Sequence, residues 1–501
     1  MEAFPANTQT YRYQVASLNQ YPLTMSMMQL IFIVNQVIVI IAVIHVVMDN
    51  RQPAKTMSWA LLIYFVPIVG IVAYIFFGVD TRKQRLVSQR SLDALTRRTM
   101  FKFVEQRELL LPEAYRPLIN FLIHQNYSLP FQHNQVTFLT SGYQFFPSLL
   151  RDIAAARQHI HIDIYIFEDD ALGHLVSDAL IDRAKAGVEV RIIYDDVGCW
   201  DVRNRFFERM RLAGIEVEPF IPVRFPSFTS KANYRNHRKL IVIDGCIGYI
   251  GGMNIAQRYV KGRCKMPWRD TMARIEGQGV YSLQRAFLID WYFVDRSLLS
   301  DRKYYPEYQN KASESEQSHD LLQTVTSGPD STFPEIMHAY LRLILSARHY
   351  IYIETPYFLP TETILQALKT AAAAGVDVRI LVPFQGDTWL TQWASRSYLR
   401  EMVEAGVQVS LYKLGFLHSK FMVCDDSVAT CGSTNVDFRS FENNFEANTF
   451  FYGENTAQQL RDIFLIDEKQ AVQLSNMKRR MHPRFYVKLW ESATRVFSPL
   501  L

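Results

Sequence analysis

From about residue 141 onward the chain runs twice through one plan, and this repeat limits its fold more than any other feature. In the first pass Ala155-Ala156-Arg157 precedes the run Ile160-His161-Ile162-Asp163-Ile164-Tyr165-Ile166-Phe167. In the second, Ser346-Ala347-Arg348 precedes Ile351-Tyr352-Ile353-Glu354-Thr355-Pro356-Tyr357-Phe358. Each pass then has a helical stretch that stops at a glycine and turns into a β-branched run: Ala186-Gly187-Val188-Glu189-Val190 in one, Ala374-Gly375-Val376-Asp377-Val378 in the other. Glycine supplies the left-handed residue that ends a helix, and the alternating run after it reads as a strand. Ala213-Gly214-Ile215 and Ala405-Gly406-Val407 repeat the signal. Strands alternating with helices predict two similar α/β halves, with mixed sheets flanked by helices. A shared site between the halves is the natural place for a ligand. The polar run 310–319 reads as the linker between them.

The chemistry sits at the same point of both passes. The first reads His237-Arg238-Lys239, Asp244, then Gly251-Gly252-Met253-Asn254; the second reads His418-Ser419-Lys420, Asp425, then Gly432-Ser433-Thr434-Asn435. Histidine and asparagine are 17 residues apart in both. Alternate strand residues share a face, so each lysine points the same way as its histidine. The expected pocket is cationic and rich in donors, which suits a phosphate. One histidine can attack phosphorus and the other can protonate the leaving alcohol. Lys239, Lys420, Asn254 and Asn435 would stabilise charge on the non-bridging oxygens. A metal fits poorly, because lysine is not a usual ligand and a metal would want more carboxylates. Each half also offers a later carboxylate to orient its own histidine, Asp270 for His237 and Glu446 for His418. Asp244 and Asp425 occupy turn positions, so holding a hairpin competes with a catalytic role for them. Gly252 and Ser433, at equivalent positions, read as interchangeable small residues.

Two apolar segments, 25–48 and 57–78, predict a transmembrane hairpin, since ~20 apolar residues cross a bilayer. Arg82, Lys83, Arg85, Arg90, Arg97, Arg98 and Lys102 follow the second segment, whereas the hairpin loop carries only Arg51 and Lys55. The positive-inside tendency therefore puts the C-terminal part in the cytoplasm. The basic stretch reads equally as a headgroup contact or a solvated helix. The organisation expected is an N-terminal segment 1–24, the hairpin 25–78, a basic connecting region 79–135, half one 136–309 with its motif at 232–259, the linker, and half two 320–501 with its motif at 413–440. A net charge of +5, from 54 basic and 49 acidic residues, argues against a nucleic-acid partner. The five scattered cysteines form no disulfide framework or zinc pattern. The run Phe220-Ile221-Pro222-Val223-Arg224-Phe225-Pro226-Ser227-Phe228 reads as a loop that either dips into lipid or caps the core beneath the site.

Both motifs resemble the HKD signature of the phospholipase D superfamily. The strings Asn236-His237-Arg238-Lys239, Gly251-Gly252-Met253-Asn254, Trp268-Arg269-Asp270, Thr355-Pro356-Tyr357-Phe358, Gly415-Phe416-Leu417-His418-Ser419-Lys420 and Ser498-Pro499-Leu500-Leu501 look like bacterial cardiolipin synthases in particular. The hairpin, with Pro53, Trp59, Pro67 and Gly78, looks like that family too, and the resemblance runs from about residue 25 to 501. It implies two α/β halves sharing one active site, in a multi-pass protein of the bacterial inner membrane. It implies transfer of a phosphatidyl group between two phosphatidylglycerol molecules, giving cardiolipin and glycerol, through a phosphohistidine and without a metal or other cofactor. By analogy His237 is the nucleophile and His418 the general acid, then base, though the residues alone allow the reverse. Phospholipid hydrolysis and a membrane-tethered nuclease are the competing readings. Nothing in the sequence fixes an oligomeric state.

Overall fold

The structure is a computed structural model that describes residues 26–49, 53–78, 111–223, 233–262, 266–307, 320–331 and 333–498. The segment 1–24, the basic stretch Arg82 to Lys102, the linker 310–319, Cys264, Arg224 to Phe228 of the aromatic loop, and Pro499-Leu500-Leu501 lie outside the described residues. The chain divides into two compact units, residues 1–78 and 79–501.

In the first unit, α1 spans Met27–Met48, 22 residues with no acid or lysine to interrupt it. Its start is a capping box: the Ser26 side chain accepts from the Gln29 backbone and the Gln29 side chain accepts from the Ser26 backbone. At 1.5 Å per residue such a helix is about 33 Å long, enough to cross a hydrocarbon core. The second apolar segment is not one helix. It is broken into α2, Pro53–Phe65, and α3, Pro67–Ala73, followed by a wide π turn, Tyr74–Gly78. Val66 leaves the helical region (φ −135°, ψ 69°) because the ring of Pro67 disfavours a helical residue before it. Gly70 then packs so closely on α2 that a Cβ there would lie 2.7 Å from the Ile63 Cα. Among the described residues only α1 is long and apolar enough to cross a membrane as one helix.

The second unit is built on one sheet of 15 strands. In chain order they are β1 Phe131–Leu139, β2 His159–Ile164, β3 Glu189–Asp195, β4 Glu216–Phe220, β5 Lys239–Ile243, β6 Ile247–Gly251, β7 Met272–Gly277, β8 Asp320–Ser327, β9 Tyr350–Glu354, β10 Asp377–Pro383, β11 Gln408–Tyr412, β12 Phe421–Cys424, β13 Val428–Gly432, β14 Glu446–Tyr452 and β15 Ala471–Gln473. Across the sheet they run β15-β11-β10-β9-β12-β13-β14-β8-β1-β7-β6-β5-β2-β3-β4. Leaving aside the edge strand β15, the order reads the same from either side of the β1–β8 seam, so the repeat in the sequence becomes a two-fold pattern in space. Each half is mixed: β2–β3–β4 and β9–β10–β11 are parallel, and the strands carrying the motifs are antiparallel. The halves do not form separate sheets, because β1 and β8 pair antiparallel, Phe131 with Leu322 and Asn134 with Asp320.

The helix stops expected at glycine are present in both halves. Gly187 (φ 90°) follows the helix Ala171–Lys185 and Gly375 (φ 88°) follows Glu362–Ala373. Val188 N–H donates to Arg183 C=O, and Val376 N–H to Ala371 C=O, closing the same left-handed cap twice. These helices cover the sheet, burying Val176 and Leu180 against Ile160, Ile162 and Ile164 in one half, and Leu365 and Leu368 against Ile351 and Ile353 in the other. Each such aliphatic side chain contributes about 1.5–3 kcal/mol on burial. Three further helices matter below: α4 Val280–Asp295, α5 Trp389–Glu404 and α6 Glu454–Glu468. A terminal helix, α7, spans Phe485–Val496. Phe220 belongs to the core, packed on Phe293 and Phe445, and not to a lipid-facing loop.

Candidate active site

His237 and His418 stand just before β5 and β12, and a segment of the opposite half holds each in place. His237 N–H donates to Phe445 C=O at 2.9 Å, and Phe445 N–H returns to Arg235 C=O at 2.9 Å. His418 N–H donates to Arg269 C=O at 2.7 Å, beside a short parallel pairing of Phe416-Leu417 with Trp268-Arg269. The next residue along each of those segments is a carboxylate. Hence His237 Nδ1 bonds Glu446, at 2.9 Å to Oε1 and 3.2 Å to Oε2. His418 Nδ1 bonds Asp270 Oδ2 at 2.7 Å. The pairing expected from sequence, each histidine with the later carboxylate of its own half, is corrected to a crossed one. Backbone pairing between the halves causes the exchange. A carboxylate on Nδ1 holds the proton there and leaves Nε2 as the reactive nitrogen. The imidazoles keep 13% and 10% of their side-chain surface, so both stay reachable.

Lys239 and Lys420 are buried beside the rings. Lys239 Nζ donates to His237 C=O at 2.5 Å. Lys420 Nζ donates to His418 C=O and lies 2.9 Å from His418 Nδ1. Burial drives His237 down to about 4, against the pull of Glu446 and with Lys239 and Lys420 adding to the effect. Burial, followed by the charge of Lys420, takes His418 down to about 3. Burial also brings Lys239 to about 7, despite Glu446. Burial would raise Glu446, but His237 and Lys239 outweigh it and hold the carboxylate below its usual range. Tyr165 stands edge-on to His237 at 4.9 Å, and Trp268, Phe416, Tyr259 and Tyr357 surround His418 at 5.3–6.5 Å between ring centres.

The remaining sequence candidates separate into roles. Asp244 lies at the far end of β5 from His237, with its carboxylate accepting from the backbone N–H of Arg157, Gln158 and His159 at 2.8–2.9 Å. Asp425 does the same for Arg348, His349 and Tyr350 at 2.7–2.9 Å. Both adopt a left-handed φ of 52°. These aspartates staple strand starts. Asn254 is also occupied, with Oδ1 accepting from Ile166 N–H at 3.1 Å and Nδ2 donating to the Tyr259 hydroxyl at 2.7 Å. Asn435 is buried, and its Oδ1 has no hydrogen-bond partner among the described residues.

Three supporting features escaped the sequence reading. Ser433 Oγ donates to Glu446 Oε2 at 2.5 Å, whereas a Cβ on Gly252 would lie 2.1 Å from Asp270 Oδ1. The two small residues are therefore not interchangeable. Arg238 donates to Glu446 C=O at 3.1 Å and pairs with Asp290 on α4. Arg269 pairs with Asp467 on α6 at 2.6 Å and donates to Ser419 Oγ at 3.1 Å. Behind these arginines lie Asp163 and Glu354, both buried and both pushed well above the usual carboxyl range, first by burial. The signal for them was an acidic residue at the same step of the two repeated strands.

A family model described as "Cardiolipin synthase, PLD-like domain" matches residues 149–281 and 340–467. One described as "Phospholipase_D-nuclease N-terminal" matches residues 37–78. The chain is 39% identical over 462 residues to the cardiolipin synthase of Geobacillus sp. (strain WCH70), covering 91% of this chain and 90% of that one. It is 34% identical over 488 residues to the major cardiolipin synthase ClsA of Bacillus subtilis (strain 168), covering 95% and 99%. Among solved structures, phosphatidylserine synthase of Haemophilus influenzae Rd KW20 superposes with a TM-score of 0.59 at 17% identity, over 77% of this chain and 99% of that one, a likeness of fold.

Proposed function

The chain belongs to the cardiolipin synthase family of phospholipase D-like proteins, and from that premise we propose that it joins two phosphatidylglycerol molecules into cardiolipin and glycerol. The crossed histidine–carboxylate pairs carry this reading. His237 Nε2 attacks phosphorus of the first lipid, the bond from phosphorus to the glycerol oxygen breaks, and His418 gives that oxygen a proton. The headgroup hydroxyl of the second lipid then returns a proton to His418 and attacks phosphorus, the phosphorus–nitrogen bond breaks, and cardiolipin leaves. Glu446 steadies the positive charge on His237 while it is phosphorylated, and Asp270 does so for protonated His418. A phosphodiester anion between Lys239 and Lys420 offsets their repulsion of an imidazolium, and so raises the proton affinity of His418 when it must act as an acid. The aromatic shell around His418 limits water, which favours transfer over hydrolysis.

The test is purified full-length protein with headgroup- and acyl-labelled phosphatidylglycerol in vesicles. Cardiolipin and free glycerol are expected in equal amounts. Phosphatidic acid as the main product would establish hydrolysis instead, and no lipid turnover would reject the reading. For membrane placement, α1 supports association with a bilayer. We read the broken α2–α3 segment as the return leg of a hairpin, with the catalytic part cytoplasmic because basic residues follow it in the sequence. A C-terminal reporter that registers as periplasmic would overturn that orientation.

A further inference from the structure

Near His418 lies a shallow cleft lined by Tyr357, Phe384, Thr391, Leu411, Arg396 and Arg480. Tyr357 belongs to both places, since its ring is 6.5 Å from that of His418. The two arginines differ from their neighbours. Arg400 pairs with Glu491 at 2.7 Å and Arg495 with Glu401 at 2.6 Å. Among the described residues, Arg396 and Arg480 have no ion pair. Arg396 stacks on Trp393 at 4.2 Å, and its buried Nε has no hydrogen-bond partner among the described residues. Arg480 stacks on Phe384 at 4.3 Å. Burial lowers both below the usual arginine range, and the charge of Arg396 adds to the effect on Arg480. Two guanidiniums that line one cleft, each stacked on an aromatic ring, suit an oxyanion.

The surface beside the cleft suits a lipid. Helix α7 packs along α5 and leaves Phe485, Tyr486, Leu489 and Trp490 exposed, with Trp389 of α5 stacked on Trp490 at 5.9 Å. Arg479 and Arg484 are exposed just before that helix. Aromatic rings with basic neighbours match the headgroup layer of an anionic bilayer. The reaction calls for such a receptor here. The hydroxyl that His418 deprotonates belongs to a lipid headgroup, and the phosphate of that lipid lies one glycerol away.

We propose that Arg396 and Arg480 bind the phosphodiester of the lipid that accepts the phosphatidyl group, which enters over the exposed face of α7. This rests on the cardiolipin synthase reading and names its acceptor subsite. The test is the full-length protein in phosphatidylglycerol vesicles, assayed both for cardiolipin and for transfer of the phosphatidyl group to ethanol, an acceptor without a phosphate. Arg396→Gln and Arg480→Gln are each expected to lower the ratio of cardiolipin to phosphatidylethanol at least tenfold. Arg396→Lys should recover part of that ratio. An unchanged ratio in both glutamine variants would overturn the subsite, as would an equal fall in both products, which marks a loss of fold or of donor binding. If the unaltered enzyme makes phosphatidylethanol but no cardiolipin, the synthase reading itself fails, a result distinct from either.

Discussion

His237 and Glu446 lie 209 residues apart in the chain, yet Nδ1 of one is 2.9 Å from Oε1 of the other. Backbone pairing of Arg235 and His237 with Phe445 brings them together. His418 and Asp270 mirror the arrangement. Each half therefore supplies the imidazole of one pair and the carboxylate of the other.

Replacing either histidine by alanine should stop turnover without unfolding the protein, by the ~10²–10⁴-fold expected for a lost acid–base or nucleophilic group. The crossed pairing adds a sharper expectation for the carboxylates. Glu446→Gln should slow phosphorylation of His237 in a rapid-quench experiment read by mass spectrometry. A carboxylate variant that leaves its distant partner untouched, and alters the histidine of its own half, would contradict the pairing.

Gly252→Ala should be far more damaging than Ser433→Ala. A methyl at residue 252 would sit 2.1 Å from Asp270 Oδ1 and displace the carboxylate from His418. Loss of the Ser433 hydroxyl removes one hydrogen bond to a charged group, about 1.5–3 kcal/mol. Steady-state rates and melting curves for the two variants decide the order.

Asp244→Ala and Asp425→Ala should lower stability and spare chemistry, since each carboxylate holds three backbone N–H groups at a strand start. A cost of about 1–3 kcal/mol each is expected. The asparagine variants should recover part of it. A hundredfold loss of kcat in a fully folded alanine variant would show that the aspartate acts on substrate after all.

The pH profile has a definite sign. With His237 near 4 and His418 near 3, both imidazoles of the free enzyme are neutral at pH 7. Lys239, brought by burial to about 7, loses its charge as pH rises through that value. Since kcat/KM reports groups of the free enzyme, and His418 must take up a proton to act as an acid, it should fall as pH rises from about 4 and more steeply beyond about 7. It should fall again below about 4, where His237 takes up a proton and can no longer attack. Lys239→Gln should lower the rate throughout and remove the steepening near 7. A profile that climbs steadily from 7 to about 9 would be incompatible with a charged Lys239 acting on phosphate.

Activity should survive EDTA, because the reacting groups are imidazoles and ammoniums rather than a carboxylate cage. Loss on chelation, restored by one divalent ion, would require a different mechanism.

The repeat, the glycine helix stops and the motif residues were legible because they are local and occur twice. Gly187 and Gly375 close the same cap, as their sequence context predicts. The crossed carboxylates were not legible, since nothing local tells Glu446 that its segment will lie along residues 235–237 of the other half. Asn254 looked like a donor to phosphate, but the sequence does not reveal that Tyr259 and Ile166 already occupy its amide. The break at Val66–Pro67 was visible as a proline inside an apolar run. Apolar length gave the span, while the backbone rule for the residue before proline decided the helix.

The single sheet has a consequence for the life of the chain. During synthesis, His237 leaves the ribosome well before Glu446, and at 5–20 residues per second the 209 intervening residues take roughly 10–40 s. Asp270 likewise waits for His418. For most of that interval the nascent protein carries one imidazole without its carboxylate and one carboxylate without its imidazole. The proposed site is thus incomplete until β14 inserts between β8 and β13, and a truncated product ending before Glu446 never completes it.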